Sequence, residues 1–306
     1  MKKIGSLILF LFVINAYCQA PVFITDSIIV QQYKTNGFAA KTFKSQGNTD
    51  VKKLKQGVWV EYKIEKDFIC YTEEGLIKQR FGSYLEYSEG SYYNGKRTGN
   101  WKFYVIEDKT FKKILLQEAT YRNGSKEGPL TYLLPDGKKG VTGTYHLDKI
   151  DGTFTNYYTG GAIYSEHDYT VGVLNGPYAF YYEDGKIKSE GNYTNNIKDG
   201  TQKLFYHTGQ VQEVSNVTMG VEDGLYQYFY TNGQLATERE YKAGLLMSIK
   251  ANNTSSGATR DKGTLKNGKG TVINYNDQGI VAAIQTYKGG KLISEDKKLP
   301  DSNYKK

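Results

Sequence analysis

The sequence predicts an all-β protein: an elongated, twisted single-layer antiparallel meander of 24-residue β-hairpin repeats. Three observations lead to this prediction. Glycines recur at a fixed spacing, aromatic and turn-forming residues keep the same register, and the segments between them alternate as strands do. The composition agrees, because 28 tyrosines outnumber 13 phenylalanines and the hydrophobic fraction is only 39%. Such a chain suits a thin sheet better than a thick aliphatic core.

The beginning of the chain has the three-part pattern of a secretory signal peptide. Lys2 and Lys3 precede an uncharged apolar run, which small residues follow. We expect a signal peptide over residues 1–18, with cleavage after Cys18 or Ala20, and export to the periplasm, the cell surface or the medium. The apolar run is too short to span a bilayer stably, and we expect no transmembrane segment in the mature chain.

Export changes the cysteine and charge counts. Cys70 is the one cysteine left after cleavage, so no internal disulfide is expected and its role is open. Removing two lysines leaves 40 − 2 = 38 basic and 32 acidic residues, a net charge of +6. The charges are dispersed except at the C-terminus, so we expect no nucleic-acid partner.

The repeat is read from its glycines. Units start at the glycines 128, 152, 176, 200 and 224, four successive steps of 24 residues. Within a unit, Tyr178, Phe180 and Tyr182 alternate onto one face of a strand. A second glycine follows each start by nine residues, and Asp-Gly, Asn-Gly and Gly-Gly pairs there predict a tight two-residue hairpin turn. These structural turn glycines are Gly137, Gly161, Gly185, Gly209 and Gly233.

The aromatic columns suggest a binding surface. The fifth and sixth positions after each start are aromatic in most units, and they point to opposite faces of the sheet. Most of these rings are expected to stabilise the sheet by cross-strand packing. One aromatic face could instead bind a partner. The candidate binding residues are Tyr157, Tyr181, Phe205 and Phe229.

Two segments resemble a known family. Tyr93–Trp101 and Tyr121–Gly128 resemble the MORN repeat, whose core is Tyr-x-Asn-Gly-x-x-x-Gly. The longer period and the glutamates Glu166, Glu190 and Glu238 are similar to bacterial MORN-repeat-variant proteins. The resemblance covers about residues 56 to 292 and implies scaffolds for protein or membrane contact, without catalytic residues. Some members are labelled antitoxins, a role that implies a cytoplasmic partner.

The remaining organisation follows from breaks in the period. We predict an N-terminal flank or cap over residues 21–55, MORN-like hairpin repeats over 56–250, a polar loop over 251–262, a terminal repeat over 263–292 and a charged tail over 293–306.

The sequence predicts no enzyme, no catalytic residue, no metal and no cofactor. His146, His167 and His207 lie in different units at different offsets, and we expect them to be exposed strand residues. Zinc needs three or four converging ligands, which this spacing does not provide. The recurrent glutamates are expected to form a structural ladder with Lys or Tyr across the sheet.

A parallel β-helix is the alternative fold at this period. It ranks second because the glycine pairs reverse the chain, which a parallel rung does not do. For function, the leading hypothesis is an exported non-enzymatic scaffold with an unknown protein partner. The alternatives are a glycan- or cell-wall-binding module that uses an aromatic sheet face, and an antitoxin-like inhibitor.

Overall fold

The computed structural model describes residues 46–65, 68–70, 79–81, 84–106, 113–276 and 278–297. Within these ranges the backbone is all β and contains no helix, and every strand pairing is antiparallel. The predicted antiparallel meander is confirmed, and no parallel rung of a β-helix occurs in the same ranges. The signal peptide predicted over residues 1–18 lies outside them, as does most of the predicted N-terminal flank.

The strands, in chain order, are β1 Gln46–Thr49, β2 Lys55–Glu65, β3 Phe68–Cys70, β4 Gln79–Phe81, β5 Tyr84–Tyr93, β6 Lys96–Ile106, β7 Lys113–Arg122, β8 Ser125–Leu133, β9 Lys139–His146, β10 Lys149–Ile150, β11 Gly152–Tyr157, β12 Ile163–Thr170, β13 Val173–Tyr181, β14 Ile187–Thr194, β15 Ile197–Lys198, β16 Gly200–Phe205, β17 Val211–Thr218, β18 Val221–Phe229, β19 Leu235–Lys242, β20 Leu245–Asn252, β21 Gly270–Tyr275, β22 Val281–Lys288 and β23 Lys291–Lys297.

The strands of the repeat region form one long sheet. In the described part of the chain, eighteen strands from β1 to β20 belong to it, and they pair in sequence order. The short strands β10 and β15 pair with β9 and β14, the same partners as β11 and β16. The short pair β3 and β4 forms an insertion between β2 and β5, and β21 to β23 form a separate three-stranded sheet. The side chain of Cys70, at the end of β3, lies outside the described residues.

The two turns of each hairpin differ, and the sequence prediction of the first one is wrong in detail. The N–H of Gly185 donates to the carbonyl of Tyr182 (2.9 Å), and only the glycine of the Asp-Gly pair has a positive φ (83°). This is a three-residue loop that ends in a left-handed glycine, not a two-residue turn. The turn glycines all share this conformation: Gly137 (85°), Gly161 (96°), Gly185 (83°), Gly209 (89°) and Gly233 (82°).

The two-residue turns lie at the other end of each hairpin. Asn195 and Asn196 have φ values of 50° and 68°, and Val171 and Gly172 have 50° and 84°. Two successive positive φ values define a type I′ turn, which matches the twist of the flanking strands. We call these the second turns. Each of these turns is hydrogen-bonded to the strand that follows the previous second turn, for example from the N–H of Gly172 to the carbonyl of Ile150 in β10 (2.7 Å).

One sheet face carries the core, and large side chains alternate there with glycine. A Cβ atom on Gly90 would overlap the indole of Trp101, and one on Gly143 would lie 2.7 Å from the ring of Phe154. Glycine therefore provides the space in which a ring on the adjacent strand lies flat. The main buried cluster contains Trp59, Tyr92, Trp101, Phe103, Ala119, Tyr121 and Leu130.

The segment predicted as a polar loop contains a further turn of the repeat. Residues 251 and 252 belong to β20, and Gly257, 24 residues after Gly233, donates from its N–H to the carbonyl of Thr254 (2.9 Å) with a φ of 87°. The prediction missed this turn because Thr254 replaces the usual tyrosine. At the C-terminus, β23 extends to Lys297 and so includes residues 293–297 of the predicted tail.

Candidate functional site

The predicted binding residues lie in one row on the sheet face opposite the core. Tyr157, Tyr181, Phe205 and Phe229 are the last residues of β11, β13, β16 and β18, and all four are half-buried. We call them the aromatic row. Strand alternation places Tyr178 on the core face and Tyr181 on the other. Neighbouring members are two strands apart, about 10 Å at the usual strand spacing.

Hydrogen bonds fix the two tyrosines of the row. The hydroxyl of Tyr181 donates to Oε2 of Glu166 (2.8 Å), and the hydroxyl of Tyr157 lies 3.1 Å from Oγ1 of Thr142. Burial, together with the bond to Glu166, raises the pKa of Tyr181 to about 12. Both partners lie on the neighbouring strand. The rings are therefore oriented before any ligand arrives, which lowers the entropic cost of binding.

The sixth aromatic column has a structural role. The hydroxyls of four tyrosines each donate to the backbone carbonyl 23 residues further along the chain. These bonds join Tyr158 to Tyr181 (2.7 Å), Tyr182 to Phe205 (2.8 Å), Tyr206 to Phe229 (2.7 Å) and Tyr230 to Asn253 (2.9 Å). Three of the four acceptors, Tyr181, Phe205 and Phe229, belong to the aromatic row, so these bonds also fix its backbone.

The recurrent glutamates form a polar stripe beside the aromatic row. Nζ of Lys203 lies 3.0 Å from Oε1 of Glu190, and Nε2 of Gln227 donates to Oε2 of Glu238 (2.7 Å). With the bond between Glu166 and Tyr181, these contacts are the cross-strand ladder that the sequence predicts. The side chains of Lys203 and Glu190 are 42% and 36% exposed, so solvent screens the pair and it contributes little to stability. The stripe leaves carboxylates at the border of the aromatic row.

The histidines do not converge, and one expectation about them is wrong. His146 lies near Glu127 (3.1 Å) and His207 near Asp184 (3.3 Å), and both rings are exposed. His167, expected to be exposed, is only 8% exposed because its ring occupies a core position of the repeat.

His167 packs among rings. It stacks on Tyr178 with the ring centroids 6.1 Å apart and meets Phe180 edge-on at 5.1 Å. Burial, with the charge of Lys198 nearby, lowers the pKa of His167 to about 4. Across the described ranges, no group of three or more His, Cys, Asp or Glu residues is placed to hold a metal ion.

Comparison with known proteins supports the repeat assignment. A family model described as the MORN repeat variant matches residues 174–195, 198–217 and 222–243, three successive units of the sheet. Repeats of this family are typically non-enzymatic. No curated protein matches the chain. No helix in the described part of the chain is long and apolar enough to cross a membrane.

Proposed function

We propose that the protein is an exported, non-enzymatic repeat scaffold that makes protein–protein contacts in the cell envelope or outside the cell. The observation that carries this proposal is the aromatic row: four half-buried rings at one register, on the sheet face that does not carry the core. Aromatic side chains are enriched among the residues that contribute most to protein interfaces.

The geometry of the row suits an extended contact. Its members recur at about 10 Å intervals over four units, and the tyrosine hydroxyls are already bonded within the sheet. A partner would therefore meet rings in fixed positions. The polar stripe would supply the polar rim that surrounds the apolar centre of an interface.

Photo-crosslinking tests the proposal directly. A photoreactive amino acid at Phe205 of the full chain is expected to capture a specific partner from the producing cells, whereas the same group at the exposed Lys96 is not. Capture at Phe205 should fall at least about tenfold in a Tyr181→Ala/Phe229→Ala variant, as expected for loss of anchor residues. Equal capture at both positions, or capture that the variant leaves unchanged, would argue against the row as a protein interface.

A glycan- or cell-wall-binding role is the second candidate. It is favoured by carboxylates adjacent to rings, as in the bond between Glu166 and Tyr181, because sugars combine apolar faces with hydroxyl donors. Titration with cell-wall fragments would then quench tyrosine fluorescence, and the Tyr181→Ala/Phe229→Ala variant would lose the response. The absence of quenching with any fragment would leave only the protein partner.

A further inference from the structure

The second turns carry exposed apolar side chains along one edge of the sheet. We call this set the apolar ridge. Its members are Leu147 (62% exposed), Val171 (45%), Ile197 (43%), Met219 (77%) and Val221 (45%). They lie on four consecutive second turns, and none belongs to the aromatic row. An exposed apolar set of this kind on a folded protein usually marks a contact site.

Folding alone does not explain these residues. Leu147, Val171 and Met219 occupy the first position of their type I′ turns, with φ values of 48°, 50° and 51°. A left-handed backbone is costly for a residue with a Cβ atom, and most of all for β-branched valine. Asparagine tolerates this conformation and takes the same position in other second turns: Asn94, Asn123, Asn195 and Asn267. Strained, exposed apolar residues point to function rather than stability.

The ridge is a continuous row. The N–H of Gly220 donates to the carbonyl of Lys198 (3.0 Å), and the turn before it is joined in the same way. Cγ2 of Ile197 lies 3.1 Å from the position that a Cβ of Gly220 would take, and Cβ of Val221 lies 3.8 Å from that of Gly244, whereas the aliphatic part of Lys149 packs on Gly172. Successive turns are two strands apart, about 10 Å.

An acidic row accompanies the ridge. The residue before the starting glycine of most units is acidic, and its carboxylate accepts a hydrogen bond from the backbone N–H of the next second turn. Glu127 accepts from Leu147 (3.0 Å), Asp151 from Val171 (3.0 Å), Asp199 from Met219 (3.2 Å) and Asp223 from Ala243 (3.3 Å). These bonds fix the carboxylates beside the ridge. The bond from Leu147 also lowers the pKa of Glu127.

We propose that the apolar ridge binds an amphipathic helix of a partner protein, with an apolar seam flanked by lysine or arginine. A helix rises about 10.5 Å over seven residues, which is close to the spacing of the second turns, so apolar residues seven apart would fall against successive turns. The carboxylates of the acidic row complement basic flanks on such a helix. The inference rests on the proposed role as a binding scaffold, but it uses a separate surface.

The test uses the full chain and synthetic helical peptides. The probe is a labelled peptide of about 21 residues with leucine at heptad spacing and lysine on both flanks. We expect fluorescence anisotropy to report binding, and a peptide with glutamate in place of lysine to bind at least about tenfold more weakly. The variant Leu147→Asn/Val171→Asn/Met219→Asn should also lose at least about tenfold in affinity.

The triple asparagine variant also allows a control for loss of structure. Because asparagine relieves strain at these positions, its midpoint of thermal unfolding should equal or exceed that of the original chain. Ile280→Asn/Leu292→Asn is the matched control, since it removes two other exposed apolar side chains and should leave peptide binding unchanged.

Several outcomes would overturn the inference. They are no binding of the lysine peptide, equal binding by the triple variant, or equal binding of the glutamate peptide. Ridge-dependent binding to phosphatidylglycerol vesicles in place of the peptide would identify a membrane surface, and ridge-dependent self-association would identify a second copy. The Tyr181→Ala/Phe229→Ala variant should bind the peptide normally, so failure of the ridge and failure of the aromatic row are distinguishable.

Discussion

The unit that begins at Gly99 buries an aromatic pair where the unit that begins at Gly200 buries an amide. In the first, Trp101 is 0% exposed and meets Tyr121 edge-on, with the ring centroids 6.3 Å apart. In the second, Gln202 takes the position of the tryptophan and is only 8% exposed. The backbone pattern is nevertheless the same. The repeat therefore requires a side chain of sufficient size at this position, not an aromatic ring.

The two solutions are stabilised differently. Trp101 fills the space beside Gly90, and the guanidinium of Arg97 lies 4.3 Å from the centre of its ring. Gln202 fills the equivalent space beside Gly191 and accepts a hydrogen bond from the hydroxyl of Tyr178 (2.7 Å). A buried amide is tolerated only with such partners. The aromatic units thus gain stability from buried area, and the Gly200 unit gains it from hydrogen bonds.

The largest expected effect tests this contrast. Trp101→Ala should lower the free energy of unfolding by about 3–5 kcal/mol, because it empties the centre of the buried cluster. Gln202→Ala should cost about 1–2 kcal/mol, the value of a lost buried hydrogen bond. Urea unfolding followed by far-UV circular dichroism measures both. Similar losses in the two variants would contradict the distinction.

Acid should act through His167, another polar side chain that is buried in the sheet. In the unfolded chain this side chain takes up a proton near its ordinary pKa of 6.5, whereas the folded protein does so only near pH 4. Stability is therefore lost as the pH falls from 6.5 to 4, by up to about 3 kcal/mol. The unfolding free energy of His167→Phe, measured over the same range, should lack this component. An unchanged pH profile in the variant would show that burial of the ring does not depress its protonation.

The glycines that face Trp101 and Gln202 provide a second test of the comparison. Gly90→Ala places a methyl group against the rigid indole of Trp101, and we expect a loss of about 1–3 kcal/mol. Gly191→Ala meets first the end of Gln202, whose side chain is more flexible than an indole, so its loss should be smaller. Thermal and urea unfolding of the two variants give the ranking. A reversed order would mean that the ring of Tyr178, also near Gly191, controls that site.

The smallest effect concerns the tyrosine bonds between units, which both kinds of unit share. Tyr182→Phe removes the hydroxyl that donates to Phe205, and the expected cost is about 1 kcal/mol. Tyr93→Phe is the control, since that side chain is 66% exposed, and it should change stability little. Equal effects would show that the bond is replaced by water at no cost.

The sequence was sufficient for the period, the strands and the antiparallel meander, because these depend on patterns within one unit. The pairing of Gly90 with Trp101 was not predictable, since it depends on which residues of different strands lie opposite each other. The first turn is predicted one residue too short, because the Asp-Gly pair alone does not show that Glu183 also belongs to the loop. The aromatic row is apparent in the sequence as a column of rings. The bond from Tyr181 to Glu166 is not, because it depends on which residues of β12 and β13 lie side by side.

The bonds from the tyrosines of the sixth column always run forward, from one unit to the next. Each pair of neighbouring units thus supplies the same tyrosine donor and the same carbonyl acceptor. Insertion of one complete copy of residues 176–199 would therefore create one more bond of this kind and leave the existing bonds intact. Gene duplication can therefore lengthen this molecule by whole 24-residue units, while duplication of part of a unit would misalign the hydroxyl donor and the carbonyl acceptor. Growth of the protein by such steps would lengthen its contact surfaces in proportion, without the need to design a new fold.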